Sequence, residues 1–329
     1  MDIDIIRQEE IMRSFQKTKS LNILLTGLFI LFMAGIVSGK SDNTITKSFR
    51  VEEGGKLNLN TDIGSVEVFG TKGSRVEVEV IQKLRTTSSR RASALLRRFE
   101  LDFDHRGADV YITGDYRKEG LGGLWNSISN RLQVKFIIHV PVEYDVDLRT
   151  AGGSISVEDL DGEIVSKTSG GSLSFVDIEG PIYGRTSGGG IRIGDVIGDV
   201  DVHTSGGSIR ASYIDGDVKA DTSGGGITIE EVKGTLNAHT SGGSVKAYFA
   251  KQPKYDCKVT TSGGSITAYI DEDIGFFVDA HTSGGSIYND FPVMISGRID
   301  KKSLKADING GGPELYLRTS GGSIHIRRK

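Results

Sequence analysis

Apolar side chains along most of this chain fall two residues apart in short runs. From Thr186 they stand at Ile191, Ile193, Val196, Val200 and Val202 and close on Thr204. The next stretch repeats the figure at Ile209, Ala211, Ile214, Val218 and Ala220, closing on Thr222. A spacing of two marks a strand with one face inward, so each stretch predicts two short strands. Between them stand a single glycine (Gly198, Gly216, Gly234) and a Ser-Gly-Gly segment, the residues that punctuate strands.

The punctuation is periodic. Thr-Ala-Gly-Gly-Ser-Ile at Thr150 returns as Thr-Ser-Gly-Gly variants at Thr168, Thr186, Thr204, Thr222 and Thr240, each step 18 residues. Two steps of 21 follow, to Thr261 and Thr282, with another copy at Thr319 and a weaker one, INGGGPEL, from Ile308. A fixed period of this kind means a solenoid in which each coil buries its apolar face against its neighbours. The pattern predicts an all-β fold, a parallel β-solenoid (β-helix) of 18-residue coils. The paired glycines suit a corner with positive φ or close backbone approach, and on the first of these grounds Gly206 is a position where a side chain would disrupt the coil. The corner threonines line up just inside, as a hydroxyl ladder that satisfies neighbouring backbone groups.

The same ruler reaches Leu57, Leu59 and Thr61, followed by Val66 and Val68. Residues 40–149 are therefore expected to hold N-terminal solenoid coils with a helical insertion, and residues 150–329 the regular repeat. In the insertion Ala92, Leu95, Leu96 and Phe99 are spaced as on one short helix, with Ser88 or Ser89 as cap. Gly120–Asn130, with the sole Trp, reads as a loop, and the stretch 289–312 with the basic tail Arg327-Arg328-Lys329 as the closure of the far end.

Residues 1–39 read as a signal peptide or an N-terminal membrane anchor. Leu21–Val37 is an uncharged run of 17 residues behind Lys17 and Lys19, on the border between a secretory core and a spanning helix. Val37-Ser38-Gly39 offers small residues for cleavage, and Met12 offers a second start with a cleaner basic flank. Either form exports the rest of the chain, to the periplasm or cell surface, tethered to the inner membrane if residues 21–37 are retained.

Composition narrows the chemistry. Glycine makes up 45 of 329 residues without the three-residue period of collagen, and one cysteine excludes a disulfide framework. A net charge of −3 gives no pull towards nucleic acid. The VPVEYDVDLRTAGGSISV junction at Val140–Val157 and the TSGGSI coils behind an export segment resemble the bacterial putative-adhesin family of exported β-helix proteins, a domain of unknown function with head-GIN-like relatives. The resemblance spans residues 45–329 and implies a cell-envelope or surface protein; it brings no catalytic residues.

Three sets of side chains could carry chemistry. The residue before each corner threonine forms an outward column of Arg149, Lys167, Arg185, His203, Asp221, His239, Thr260, His281 and Arg318. His203, Asp221 and His239 are the candidate metal ligands within it, but ladder neighbours point in parallel where a metal needs convergence, so no metal or cofactor is expected. Acids at the turns (Asp159, Asp161, Glu163, Asp177, Glu179, Asp195, Asp199, Asp215, Asp217) lack the loop signature of a calcium roll and read as a soluble edge. Lys83, Arg85, Arg90, Arg91, Arg97 and Arg98 form a basic stretch for an anionic partner, a lipid headgroup or acidic glycan. Cys257 falls in the inward column of Val200, Val218 and Leu236, as a buried small hydrophobe. The expected function is non-enzymatic, an adhesin or envelope scaffold meeting an envelope protein, glycan or anionic lipid. The alternatives are a carbohydrate-active β-helix enzyme and a membrane-anchored sensor.

Overall fold

The computed structural model describes residues 42–85, 89–116, 132–293 and 300–329. Residues 1–41, expected to hold an export segment and its cleavage site, lie outside the described residues, as do Ser88 and the Gly120–Asn130 stretch expected as a loop. Within residues 41–329 the strands form two sheets of thirteen, linked as a solenoid with one strand of each coil in each sheet. A coil reads β13 (Ile191–Ile197), a turn at Gly198, β14 (Val200–Thr204), the Ser-Gly-Gly corner and then β15 (Ile209–Asp215). Pairing between coils is parallel with residue i opposite i+18, as Ile191 opposite Ile209 and Val200 opposite β16 (Val218–Thr222) at Val218. The 18-residue period is thus the register of both sheets.

The predicted inward positions form one hydrophobic core between the sheets, with Ile191, Ile193, Val196, Val200 and Val202 all buried. The three-residue step from Ile193 to Val196 recurs one and two coils earlier, where a left-handed residue makes it; Asp195 itself has no positive φ. There Asp177 and Asp159 adopt φ of 55° and 59°, an extra left-handed residue that restores the next side chain to the inside. The core is also fitted across the sheets. Gly184 stands opposite Ser166, and a Cβ at Gly184 would meet Leu173, Phe175 and Val202 at 3.2 Å, so small residues on one sheet accommodate Phe175 on the other.

The corner follows from two contacts made on one atom. Thr222 donates its hydroxyl to the Gly207 carbonyl at 2.8 Å, and Thr204 and Thr240 do the same to Gly189 and Gly225 at 2.7 Å. That carbonyl also sits beneath the second glycine of the next corner. A Cβ on Gly207 would lie 2.1 Å from the Gly189 oxygen, and the second glycine of every Gly-Gly corner shows the same crowding at 2.0–2.3 Å. Gly206 differs from the expectation: it has no positive φ, and a Cβ there would be 3.3 Å from the nearest atom. Close approach, at the second glycine, is the reason for the pair.

Both ends depart from the linear order of the repeats. β2 (Lys56–Thr61) and β3 (Ser65–Thr71) abut β8 (Asp145–Thr150) and β9 (Ile155–Asp161), while β6 (Asp109–Tyr116) and β7 (Leu132–Pro141), later in sequence, stack outside them. Antiparallel strands finish this end: β4 (Arg75–Leu84) and β1 (Asp42–Arg50) on one sheet, β5 (Phe99–Arg106) on the other. The helix α1 is Ser89–Leu96, with Ala92, Leu95 and Leu96 against the core; Phe99, expected on the helix, instead begins β5, where pairing with Tyr116 turns it inward.

At the far end the last coil in sequence, β25 (Glu314–Thr319) and β26 (Ile324–Arg328), is inserted between β20 (Cys257–Thr261) with β21 (Ile266–Ile270) and β22 (Phe276–Thr282) with β23 (Ile287–Asn289). The basic tail therefore sits inside a sheet, and closure falls to β24 (Ser303–Ile308), antiparallel to β22. The weak INGGG copy is no corner: Asn309, Gly310 and Gly311 at φ of 49°, 88° and 83° make a left-handed turn out of β24.

Two substitutions separate the corner's parts. Gly207→Ala should cost roughly 1–3 kcal/mol or more through overpacking against the neighbouring coil, and Gly206→Ala under about 1 kcal/mol. Thr222→Val, which leaves the Gly207 carbonyl short of a partner, should cost roughly 1–3 kcal/mol. Denaturant melts of the three proteins check the ranking; equal effects of the two glycine variants would refute it.

Candidate functional site

With the inner positions filled by core, recognition chemistry is confined to the two outer sheet faces, the turns and the ends. The outward column before the corner threonines forms as the spacing requires, with one change of order: Arg318 stands between Thr260 and His281 because its coil is inserted there. His203, Asp221 and His239 occupy consecutive register positions on β14, β16 and β18 (Leu236–Thr240). His239 Nδ1 lies 2.8 Å from Thr260 Oγ1, a ladder contact. Among the described residues no three His, Cys, Asp or Glu side chains come together as a metal-ligand set.

Arg149, Arg185 and Arg318 on this face are matched by acids at the outward position two residues earlier in their own or a neighbouring coil, which sequence reasoning did not single out. Arg149 grips Asp147 through two nitrogens at 2.9 Å. Asp201 lies 2.8 Å from Arg185 and 3.5 Å from Lys219, on the coils before and after. Asp279 is held most tightly, 2.8 Å from Arg318 and 3.0 Å from Lys305, and is buried beneath them. Burial pushes its carboxyl up, but the two flanking cations outweigh that and hold it below the ordinary carboxylate range. The repeated Asp at 147, 201 and 279, two before the column, was the available signal.

The opposite face carries aromatic ladders. Tyr248 on β19 (Val245–Phe249) stacks on Tyr269 with ring centroids 4.2 Å apart and planes within 7°, and Lys246 lies 5.2 Å from both. Tyr288 stacks likewise on His325 at 4.9 Å. The 21-residue step between Tyr248 and Tyr269 placed them in one column, a signal the sequence reading did not use.

Two of the turn acids, Asp199 and Asp217, have structural work. Asp199 Oδ1 accepts from the Asp217 N–H at 2.8 Å, and Asp217 Oδ1 from the Thr235 N–H at 2.7 Å. Asp145 and Asp256 do the same for Glu163 and Glu314 at 2.8 Å. These carboxylates complete backbone bonding where the sheets are interrupted. Cys257 is fully buried opposite the Leu236 strand, and burial pushes its thiol up to about 11, so it stays protonated and unreactive at neutral pH.

The basic stretch gathers at the N-terminal end. Lys83 and Arg85 lie at and just past the end of β4, Arg90 on α1, and Arg97 and Arg98 between α1 and β5. Lys83, Arg85, Arg90 and Arg97 are exposed; Arg98 is half-buried and engaged, and the Arg91 side chain lies outside the described residues. Beside them runs an open groove of about 430 Å³ lined by Ile63, Ile81, Lys83, Leu132, Val134 and Lys135.

Because the Asp279 carboxyl is depressed, its contribution is complete above the unfolded carboxylate pKa and is lost as pH falls through its folded value. Asp279→Asn should lower the melting temperature at neutral pH, and the gap from the parent should close as pH drops below the ordinary carboxylate range. Melting curves across acid pH test this; a gap that stays constant would refute it.

A putative adhesin from Parabacteroides distasonis ATCC 8503 is 11% identical over 87% of this chain and 97% of its own, with a TM-score of 0.39. A putative adhesin from Bacteroides fragilis NCTC 9343 is 13% identical over 86% and 97%, with a TM-score of 0.27. A putative cell adhesion protein from Clostridium sporogenes ATCC 15579 is 14% identical over 87% and 100%, with a TM-score of 0.23. Scores this low carry no information about what the present chain does. No curated protein matches it. The Toastrack DUF4097 family model matches residues 55–327, from β2 into β26 and through every regular coil, and the chain belongs to that family.

Proposed function

We propose that this chain is a non-enzymatic protein of the cell envelope or surface, in which the solenoid holds two rigid outer faces towards an envelope protein or a glycan, as an adhesin or scaffold. The observation that carries the reading is the cross-coil matching of outward side chains. Arg185–Asp201–Lys219 and Tyr248–Tyr269 hold one another in extended ladders across coils rather than around a cleft. Such a face is already ordered before binding, so a partner meets it at low entropic cost.

A carbohydrate-active enzyme would need two carboxylates set across a groove. The groove at the N-terminal end offers lysines and aliphatic side chains instead, and of the turn acids Asp199 and Asp217 are engaged with backbone amides. The uncharged Leu21–Val37 run supports export, tethered or cleaved. Among the described residues no helix is long and apolar enough to cross a membrane.

Protease treatment of intact and lysed cells tests the reading. Digestion on intact cells is the outcome expected of an adhesin, and protection until the envelope is opened that of a scaffold within it. Recovery of the uncleaved chain in the cytoplasmic fraction would overturn both.

A further inference from the structure

We propose that the N-terminal end of the solenoid docks on an anionic lipid surface through Lys83, Arg85, Arg90 and Arg97. Strand pairing brings their backbone positions to one end. Asp42, the first residue of β1, stands opposite Lys83, and Leu84 opposite Leu132. Phe99 stands opposite Tyr116, whose N–H bonds Asp62 in the neighbouring Thr-Asp-Ile-Gly corner. Chain entry, the end of β4, α1 and the start of β5 therefore share the cap of the stack.

Three observations select the partner. Residues 83–106 hold seven Lys and Arg against three acids, in a chain whose net charge is −3. Of those acids Asp104 is paired with Arg106, while among the described residues Lys83, Arg85, Arg90 and Arg97 have no acidic partner. The opposite end differs, since Arg318, Lys305, Arg327 and Arg328 each face a carboxylate there. The third observation is chain length. The apolar Leu21–Val37 run ends five residues before Asp42, a reach of at most roughly 18 Å. Where that run is retained in a bilayer, chain length limits Asp42, opposite Lys83, to this distance from it, and several unpaired cations would meet the potential of anionic headgroups. The aliphatic groove beside Lys83 gives the same corner apolar surface for the headgroup region. The inference adds a membrane contact to the proposed envelope role and is tested without reference to export or adhesion.

The test reconstitutes the full chain into vesicles of phosphatidylcholine, and into vesicles in which about a third of the lipid is phosphatidylglycerol. Tryptic cleavage between Arg85 and Arg98 is followed by mass spectrometry. Cleavage should slow several-fold in the anionic vesicles only, and recover at raised salt, which screens surface charge. Hydrogen exchange of α1, which does not depend on a basic cleavage site, should show the same protection, and Arg85→Ser/Arg90→Ser/Arg97→Ser should abolish it with an unchanged melting temperature. Lys301→Ser/Lys302→Ser at the far end should leave it intact. Equal protection in both lipids, protection that survives in the triple variant, or loss in the Lys301/Lys302 variant would each overturn the proposal.

Discussion

The hydroxyl of a corner threonine on the second glycine carbonyl of the preceding coil is the contact on which this fold depends. It closes a buried backbone acceptor that no strand reaches, and it fixes each coil at one point relative to its neighbour. The same carbonyl bars a Cβ from the glycine above it. A single atom thus demands both the threonine and the second glycine, and imposes that demand at every Gly-Gly corner. The period follows, because a coil that did not return to this point would leave a carbonyl unpaired and a threonine without an acceptor. The two 21-residue steps keep the rule: Thr261 and Thr282 still find the Gly243 and Gly322 carbonyls at 2.7 Å, and the extra residues lie away from the corner.

A stack held this way is most exposed at its ends, where a parallel sheet presents unpaired edges. The chain meets the problem twice by folding back. An antiparallel strand covers the outermost coil on one sheet at the far end, and three such strands serve the near end. The first and last coils in sequence are both interior in space. Neither end of the solenoid's own sequence can fray without first displacing a coil stacked over it, whereas terminal repeats of a linear array open most easily.

This arrangement also marks what was legible in the sequence. Inward Ile193, Val196 and Val200, the corner threonines and the buried Cys257 followed from spacing, because burial is a property of one coil and repeats with it. The spatial order of coils is a property of pairs, and nothing in a Thr-Ser-Gly-Gly unit says which neighbour it joins. Thr319 therefore read as the last coil, although its hydroxyl reaches Gly264 rather than Gly285. The misreading of INGGG had the opposite cause, since glycines that answer a steric demand in the corners supply left-handed turns after Ile308. Asp279 was missed because its partners, Lys305 and Arg318, become neighbours only through the inserted coil and the antiparallel cap.

Net charge is a poor guide to recognition in such a molecule. Acids outnumber bases by three, yet Asp199 and Asp217 bind backbone amides, and Asp147, Asp201 and Asp279 are paired on the sheet face. A carboxylate committed to an amide or a guanidinium presents little field to a partner. At the N-terminal cap Lys83, Arg85, Arg90 and Arg97 meet no carboxylate among the described residues; α1 and its flanks lie outside the coil register that pairs Arg185, Asp201 and Lys219. Pairing within the register commits much of the acid, and the break in the repeat gathers a run of cations at one end.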